Sequence, residues 1–271
     1  EGDFKHNFFT KPENMMHYFN KNGTTIFYTN LSKGELASAN NDNFIIYKRY
    51  GNYIDAYNNN GLILWRTNTS IYPEMSPYAN RSVYHSSDNS KIQMFDFDNN
   101  SLSSHIQYGE IVTDGAFALN TGDYIAGFSS GDIAYINRNG SLGFAISSIL
   151  SEINIIKSVA ISEYGSFALS ISGIRAEYIS LYDSKGGTLW YLETGLNRRR
   201  HVSSFVSEKS MTAFMLSDRD IILYNLNNGK EKDRINLEKY NMQNAINMKL
   251  NSETNTTIMS ASKEGKSIVL I

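Results

Sequence analysis

One phrase recurs along this chain: a short apolar strand, a turn built from Asx and Gly, and a second strand that often ends in an aromatic residue. It reads YIDAYNNNGLILW over 53–65, DIAYINRNGSLGF over 132–144, YISLYDSKGGTLW over 178–190 and IILYNLNNGKEKD over 221–233. A degenerate copy, IQMFDFDNNSLSS, runs over 92–104. A lone hairpin cannot bury both of its faces, so copies repeated at intervals of a few tens of residues must stack on one another to make a core. The phrase constrains architecture and carries no chemistry of its own.

The copies fill nearly all of the 271 residues, so we read one domain over 1–271, with 1–15 as an irregular lead-in. An apolar fraction of 41% and an aromatic fraction of 13% supply its core, and the 18 tyrosines suit strands that are half solvated. A net charge of −2 argues against nucleic acid as a partner, which calls for a basic excess. With no cysteine there is no thiol nucleophile, no thiolate metal ligand and no disulfide. No run of 18 apolar residues is present, so nothing in this segment spans a membrane as a helix. The chain opens on Glu1, which leads us to expect a signal or anchor removed upstream. The expected location is therefore extracytoplasmic, either periplasmic or membrane-anchored, with the cytoplasm as the alternative. Asparagine is abundant, as in Asn58–Asn60, and is read as turn chemistry because Asn accepts left-handed backbone angles.

Taken as four strands per copy, the first copy gives strands at 35–39, 43–50, 53–57 and 62–66. The second gives 82–86, 91–97 and 101–108, and the third 115–120, 124–129, 132–137 and 142–147. The fourth gives 156–162, 167–172, 176–183 and 188–193, and the fifth 202–207, 212–217, 220–226 and 231–236. The last copy has strands only at 245–250, 256–261 and 266–271. Ahead of the first copy stands a spare strand, TTIFYT at 24–29. A closed array leaves no sheet edge open, so this strand is expected to complete the last sheet. The count is then six blades, or seven if the hairpin at 16–29 belongs to a blade of its own.

VAISEYGSFAL at 159–169 followed by YISLYDSKGGTLW, together with AYNNNGLILW at 56–65, resembles the repeats of bacterial β-propellers of the WD40-like and PQQ-like type. The resemblance implies an all-β, six-bladed propeller in which Trp65 and Trp190 pack between neighbouring blades. That family includes quinone dehydrogenases and also non-enzymatic envelope scaffolds of the outer-membrane assembly lipoprotein BamB type. The vicinal cysteines of several quinoprotein dehydrogenases are missing here, as is the sialidase Asp box, so the likeness bears on fold more than on activity.

No catalytic constellation can be assembled. His6, His17, His85, His105 and His201 show no metal-ligand spacing, no G-x-S-x-G elbow occurs, and no Gly-rich phosphate loop is present. Asp55, Asp96, Asp132 and Asp183 recur near the third strand, where turn capping is their expected role. Neither a metal nor a cofactor is expected. One feature stands out, the run Arg198, Arg199, Arg200, His201 in the link between the fourth and fifth copies. In a four-stranded blade that link emerges at the same end as the turn between the second and third strands, which carries Arg175 in copy four and Arg219 in copy five. Arginine forks suit bidentate contact with carboxylates. The expectation is thus a non-enzymatic interaction platform that binds another protein, through an acidic segment, on the face carrying Arg175, Arg198, Arg199, Arg200, His201 and Arg219. The alternative is a propeller enzyme, or a small-ligand or sugar binder, using a central channel.

Overall fold

The computed structural model describes residues 8–10, 14–20, 22–48, 53–67, 72–77, 79–86, 88, 90–99, 101–103, 106–107, 110–147, 154–196, 198, 202–240, 259–263 and 266–270. The chain divides into two units, Glu1–Gly109 with Arg138–Ser141, and Glu110–Asn137 with Leu142–Ile271. Apart from one short 3-10 turn at Glu238–Tyr240, all regular structure among the described residues is antiparallel β.

In the first unit, β1 (Phe8–Thr10), β2 (Met15–Phe19) and β3 (Thr25–Asn30) form a three-stranded sheet. Strands β4 (Glu35–Ala39), β5 (Asn43–Lys48), β6 (Ile54–Asn58) and β7 (Ile63–Thr67) form a four-stranded meander. Strands β8 (Tyr72–Met75), β9 (Arg81–His85) and β10 (Lys91–Asp96) follow, with β11 (Ser101–Leu102) and β12 (Ile106–Gln107) both paired to β10. The second unit opens with the meander β13 (Val112–Phe117), β14 (Tyr124–Phe128), β15 (Asp132–Ile136) and β16 (Leu142–Ser147). Next come β17 (Ile156–Ile161), β18 (Phe167–Ser172), β19 (Tyr178–Asp183) and β20 (Thr188–Glu193). After them stand β21 (Ser204–Ser207), β22 (Thr212–Leu216), β23 (Asp220–Asn225) and β24 (Glu231–Asn236), and finally the pair β25 (Met259–Lys263) and β26 (Lys266–Leu270).

The middle strands read as continuous apolar runs because both of their faces are covered. Side chains alternate across a strand, and on β5 Phe44 and Ile46 pack with Met16 and Tyr18 of β2, while Ile45 packs with Tyr84 and Phe95 of the next sheet. Likewise Ala168 of β18 joins Ile125 and Tyr135, whereas Leu169 and Ile171 join Ala213 and Met215. Each full burial of such a side chain stabilises by about 1.5–3 kcal/mol.

The recurring phrase owes its form to the hairpin between third and fourth strands. An Asx closes the third strand and accepts backbone N–H bonds from the turn: Asn58 from Asn60 and Leu62, Asp183 from Lys185 and Gly187, Asn225 from Asn227. Asp96 does the same for Asp98 and Asn99. The glycine that follows stands in left-handed backbone, with φ of 77° at Gly61 and 67° at Gly229, and a bulge sits at the strand end. A second reason excludes any side chain there. A Cβ on Gly61 would fall 2.3 Å from the Phe27 ring of the preceding sheet, and one on Gly229 would fall 2.9 Å from Trp190. The aromatic ending of one copy is therefore the seat for the turn of the next. Trp190 also donates its indole N–H to the Leu226 carbonyl at 2.7 Å, and Trp65 stacks on Tyr84 and Phe95, so both tryptophans pack between sheets.

Three departures from the sequence reading concern strands. Among the described residues, segment 24–29 pairs with β2, and its expected pairing with the last copy is not among the ladders there. The turn at 20–24, where Asn20 accepts the N–H groups of Asn22 and Thr24, folds it back onto β2 with Tyr18 opposite Phe27. The N-terminal hairpin is thereby a sheet of its own, and seven sheets are present among the described residues. Second, Phe8–Thr10, inside the lead-in expected to be irregular, is strand β1. Third, the copy over 82–108 has a further strand, β8, ahead of those anticipated, and its last strand is split in two. The strand expected at 245–250 lies outside the described residues.

Candidate functional site: the loop end of two adjacent sheets

The arginine-bearing loops do converge. Thr194, just past β20, donates its N–H to the Glu177 carbonyl in the β18–β19 turn at 2.8 Å. Farther along the same connection, Arg198 donates to the Leu216 carbonyl at the end of β22. The turn after β22 carries Arg219, whose carbonyl accepts the Leu237 N–H at 2.7 Å. The β18–β19 turn, the β20–β21 connection and the β22–β23 turn thus share one end of these two sheets.

Within that end the arginines differ sharply. Arg175 and Arg219 are exposed, and Arg219 faces Glu238 at 3.6 Å with both side chains more than half open to solvent. Such a pair contributes little and yields readily to another anion. Arg198 is the correction: it is 6% exposed and does not belong to the surface patch. Its Nη2 lies 2.5 Å from Glu177 Oε1, and its Nε donates to Oε2 at 3.1 Å. Lys157 Nζ reaches the same Oε2 at 3.0 Å, and Thr194 Oγ1 donates to Oε1 at 3.0 Å. Arg199, Arg200 and His201 lie outside the described residues.

Glu177 is fully buried, and burial by itself pushes its carboxyl up. The Arg198 guanidinium and the Lys157 ammonium more than offset this, so the carboxyl sits below the ordinary glutamate range. The triad joins β17, the β18–β19 turn and the β20–β21 connection. Its members are buried and paired with one another, and it works as a clasp that fixes two loops. Sequence reasoning missed Glu177. The only available signal was an acid in the same turn as Arg175, and nothing in the sequence showed which arginine it would hold.

Four of the remaining candidates have structural roles, while His6 and His105 lie outside the described residues. Asp183 caps its turn, and the Gly187 and Lys185 amides hold its carboxyl below the usual range. Asp55 is buried beside β7, where Arg66 grips both of its oxygens at 2.6 and 2.7 Å. His17 stacks between Phe19 and Tyr28. His85 is buried, which lowers its pKa to about 4 and keeps it neutral. No group of three or more metal-ligating side chains occurs among the described residues, and no helix there is long and apolar enough to cross a membrane.

A family model described as β-propeller protein matches residues 4–270. This chain belongs to the β-propeller family. The solved structure of Kluyveromyces lactis Hsv2p is similar in fold, with a TM-score of 0.61 at 11% identity over 86% of this chain and 83% of that one. No curated protein matches. The meanders of four strands packed face to face are the blades of that fold.

Proposed function

We propose that this propeller is a non-enzymatic interaction platform of a bacterial envelope, which captures a partner protein through an acidic segment at the loop end carrying Arg175, Arg199, Arg200, His201 and Arg219. The observation that carries the reading is the burial of Arg198 against Glu177. It anchors the β20–β21 connection at Arg198, on the end of these sheets where Arg175 and Arg219 are exposed. A pre-positioned loop loses little conformational entropy on docking, and planar guanidinium forks match carboxylates. We further read the seven sheets as seven blades of one domain over 1–271.

The test is affinity purification with crosslinking from native cells, using the wild type and a variant with Arg175, Arg199, Arg200 and Arg219 changed to Glu. The partner recovered with the wild type is expected to be lost from the variant, with far-UV circular dichroism unchanged. Equal recovery of that partner from both overturns the reading.

A further inference from the structure

The opposite end of the same sheets holds a second, unrelated feature. The turns that follow the first strands of three successive sheets are stitched together there. Asn120, after β13, donates its N–H to the Glu163 carbonyl at 2.9 Å. Glu208, after β21, donates its own N–H to Glu163 Oε2 at 2.7 Å. The Glu208 carboxylate in turn accepts the Ser166 N–H at 3.2 Å, the Ser166 hydroxyl at 3.0 Å and the Ser162 hydroxyl. Both carboxylates thus belong to this stitched end, and among the described residues neither forms an ion pair with a Lys or Arg. Glu163 is 3% exposed, and its Oε1 is buried without any hydrogen-bond partner among those residues.

A buried carboxylate oxygen with neither a donor nor a counter-charge is costly to fold. Beside it lies a cavity of about 110 Å³, which Glu163 helps to line. Its walls are apolar, formed by Ala116 and Phe117 of β13, Ile161 of β17, and Phe205 and Val206 of β21. Cavities of about 150 Å³ admit benzene, and one water needs only about 10–15 Å³. The space here therefore suits a chain of about four carbons.

We propose that this cavity binds a small alkylammonium group, with the ammonium on the Glu163 carboxylate and the alkyl chain between the first strands of the three sheets. The combination selects the ligand. An inorganic cation would leave the apolar walls unused, a neutral alkane would leave the Glu163 carboxylate without a counter-charge, and an anion would meet that carboxylate. The inference is independent of the arginine-bearing end and survives if that end binds nothing.

Isothermal titration of the folded full chain with n-butylammonium chloride tests it, with n-butanol as the uncharged chain of the same length. Nα-acetyl-lysine methylamide forms a third arm that separates a free amine from a lysine side chain on a peptide. Butylammonium is expected to saturate below about 10 mM, at least tenfold tighter than butanol. Glu163→Gln is expected to weaken it at least tenfold, and Ala116→Leu, which fills the cavity, to abolish it. No saturation, equal binding of butanol, or equal binding by Glu163→Gln means a hydrated cavity only and overturns the proposal. If Glu163→Gln fails to fold, the butanol comparison and Ala116→Leu decide.

Discussion

Replacing Arg198 with Met removes the guanidinium while keeping most of the aliphatic volume. Glu177 is then left with Lys157 and Thr194, and the Leu216 carbonyl loses its donor. Removing one member of a buried pair costs about 3–5 kcal/mol, chiefly because a buried charge stays behind uncompensated. Since Lys157 still neutralises Glu177, the lower end applies, about 3 kcal/mol. For a chain near this size 1 kcal/mol corresponds to about 2–4 °C, so Tm is expected to fall by about 6–12 °C. Urea unfolding in a Trp65→Phe background leaves Trp190 as the sole indole, and Trp190 lies in the same pair of sheets as the triad. Replacing Lys157, Glu177 and Arg198 together by Met is expected to return stability close to that of the wild type, because no unpaired charge remains. A loss below about 1 kcal/mol for Arg198→Met would refute the reasoning, since that is the behaviour of a solvated pair.

Three further outcomes are expected. Because the Glu177 carboxyl is depressed in the folded state, its contribution is complete above the unfolded glutamate value of about 4.3 and fades as pH falls through the folded one. Glu177→Gln is thus less stable than wild type at pH 7, and urea midpoints measured from pH 7 down to pH 3 should show the gap narrowing below about pH 4. Gly229→Ala forces a left-handed backbone angle on alanine and drives its Cβ against Trp190. A destabilisation of about 2 kcal/mol or more is expected in thermal melts, and a neutral result would dismiss the seat-and-turn explanation of the repeat. Glu208→Ala removes the acceptor for the Tyr164 and Ser166 amides, and hydrogen exchange at these two positions should quicken about tenfold.

Much of the fold was legible because its signals are local. The Asx–Gly turn and the apolar middle strands belong to short windows, and strands such as Glu35–Ala39, Phe167–Ser172 and Thr188–Glu193 fall where the pattern put them. What escaped depends on contacts between distant segments. TTIFYT reads equally well as a strand for the last sheet or for β2, and only the capped turn at Asn20 ties it to β2. At the loop end, the geometry of a four-stranded blade gathered Arg175, the β20–β21 connection and Arg219. They could not tell an exposed arginine from Arg198, because burial was decided by Glu177, 21 residues away. The cavity beside Glu163 left no mark in the sequence, since the Ser-Glu pairs at 162–163 and 207–208 look like ordinary turns.

Hydrogen exchange of the protein alone and in complex with the partner recovered from native cells is the most direct test of the platform reading. Slowed exchange is predicted in the segments 173–177, 194–203 and 217–219, with the outer strands β20 and β24 unchanged. Protection confined to other segments, with these three exchanging as in the free protein, would contradict it.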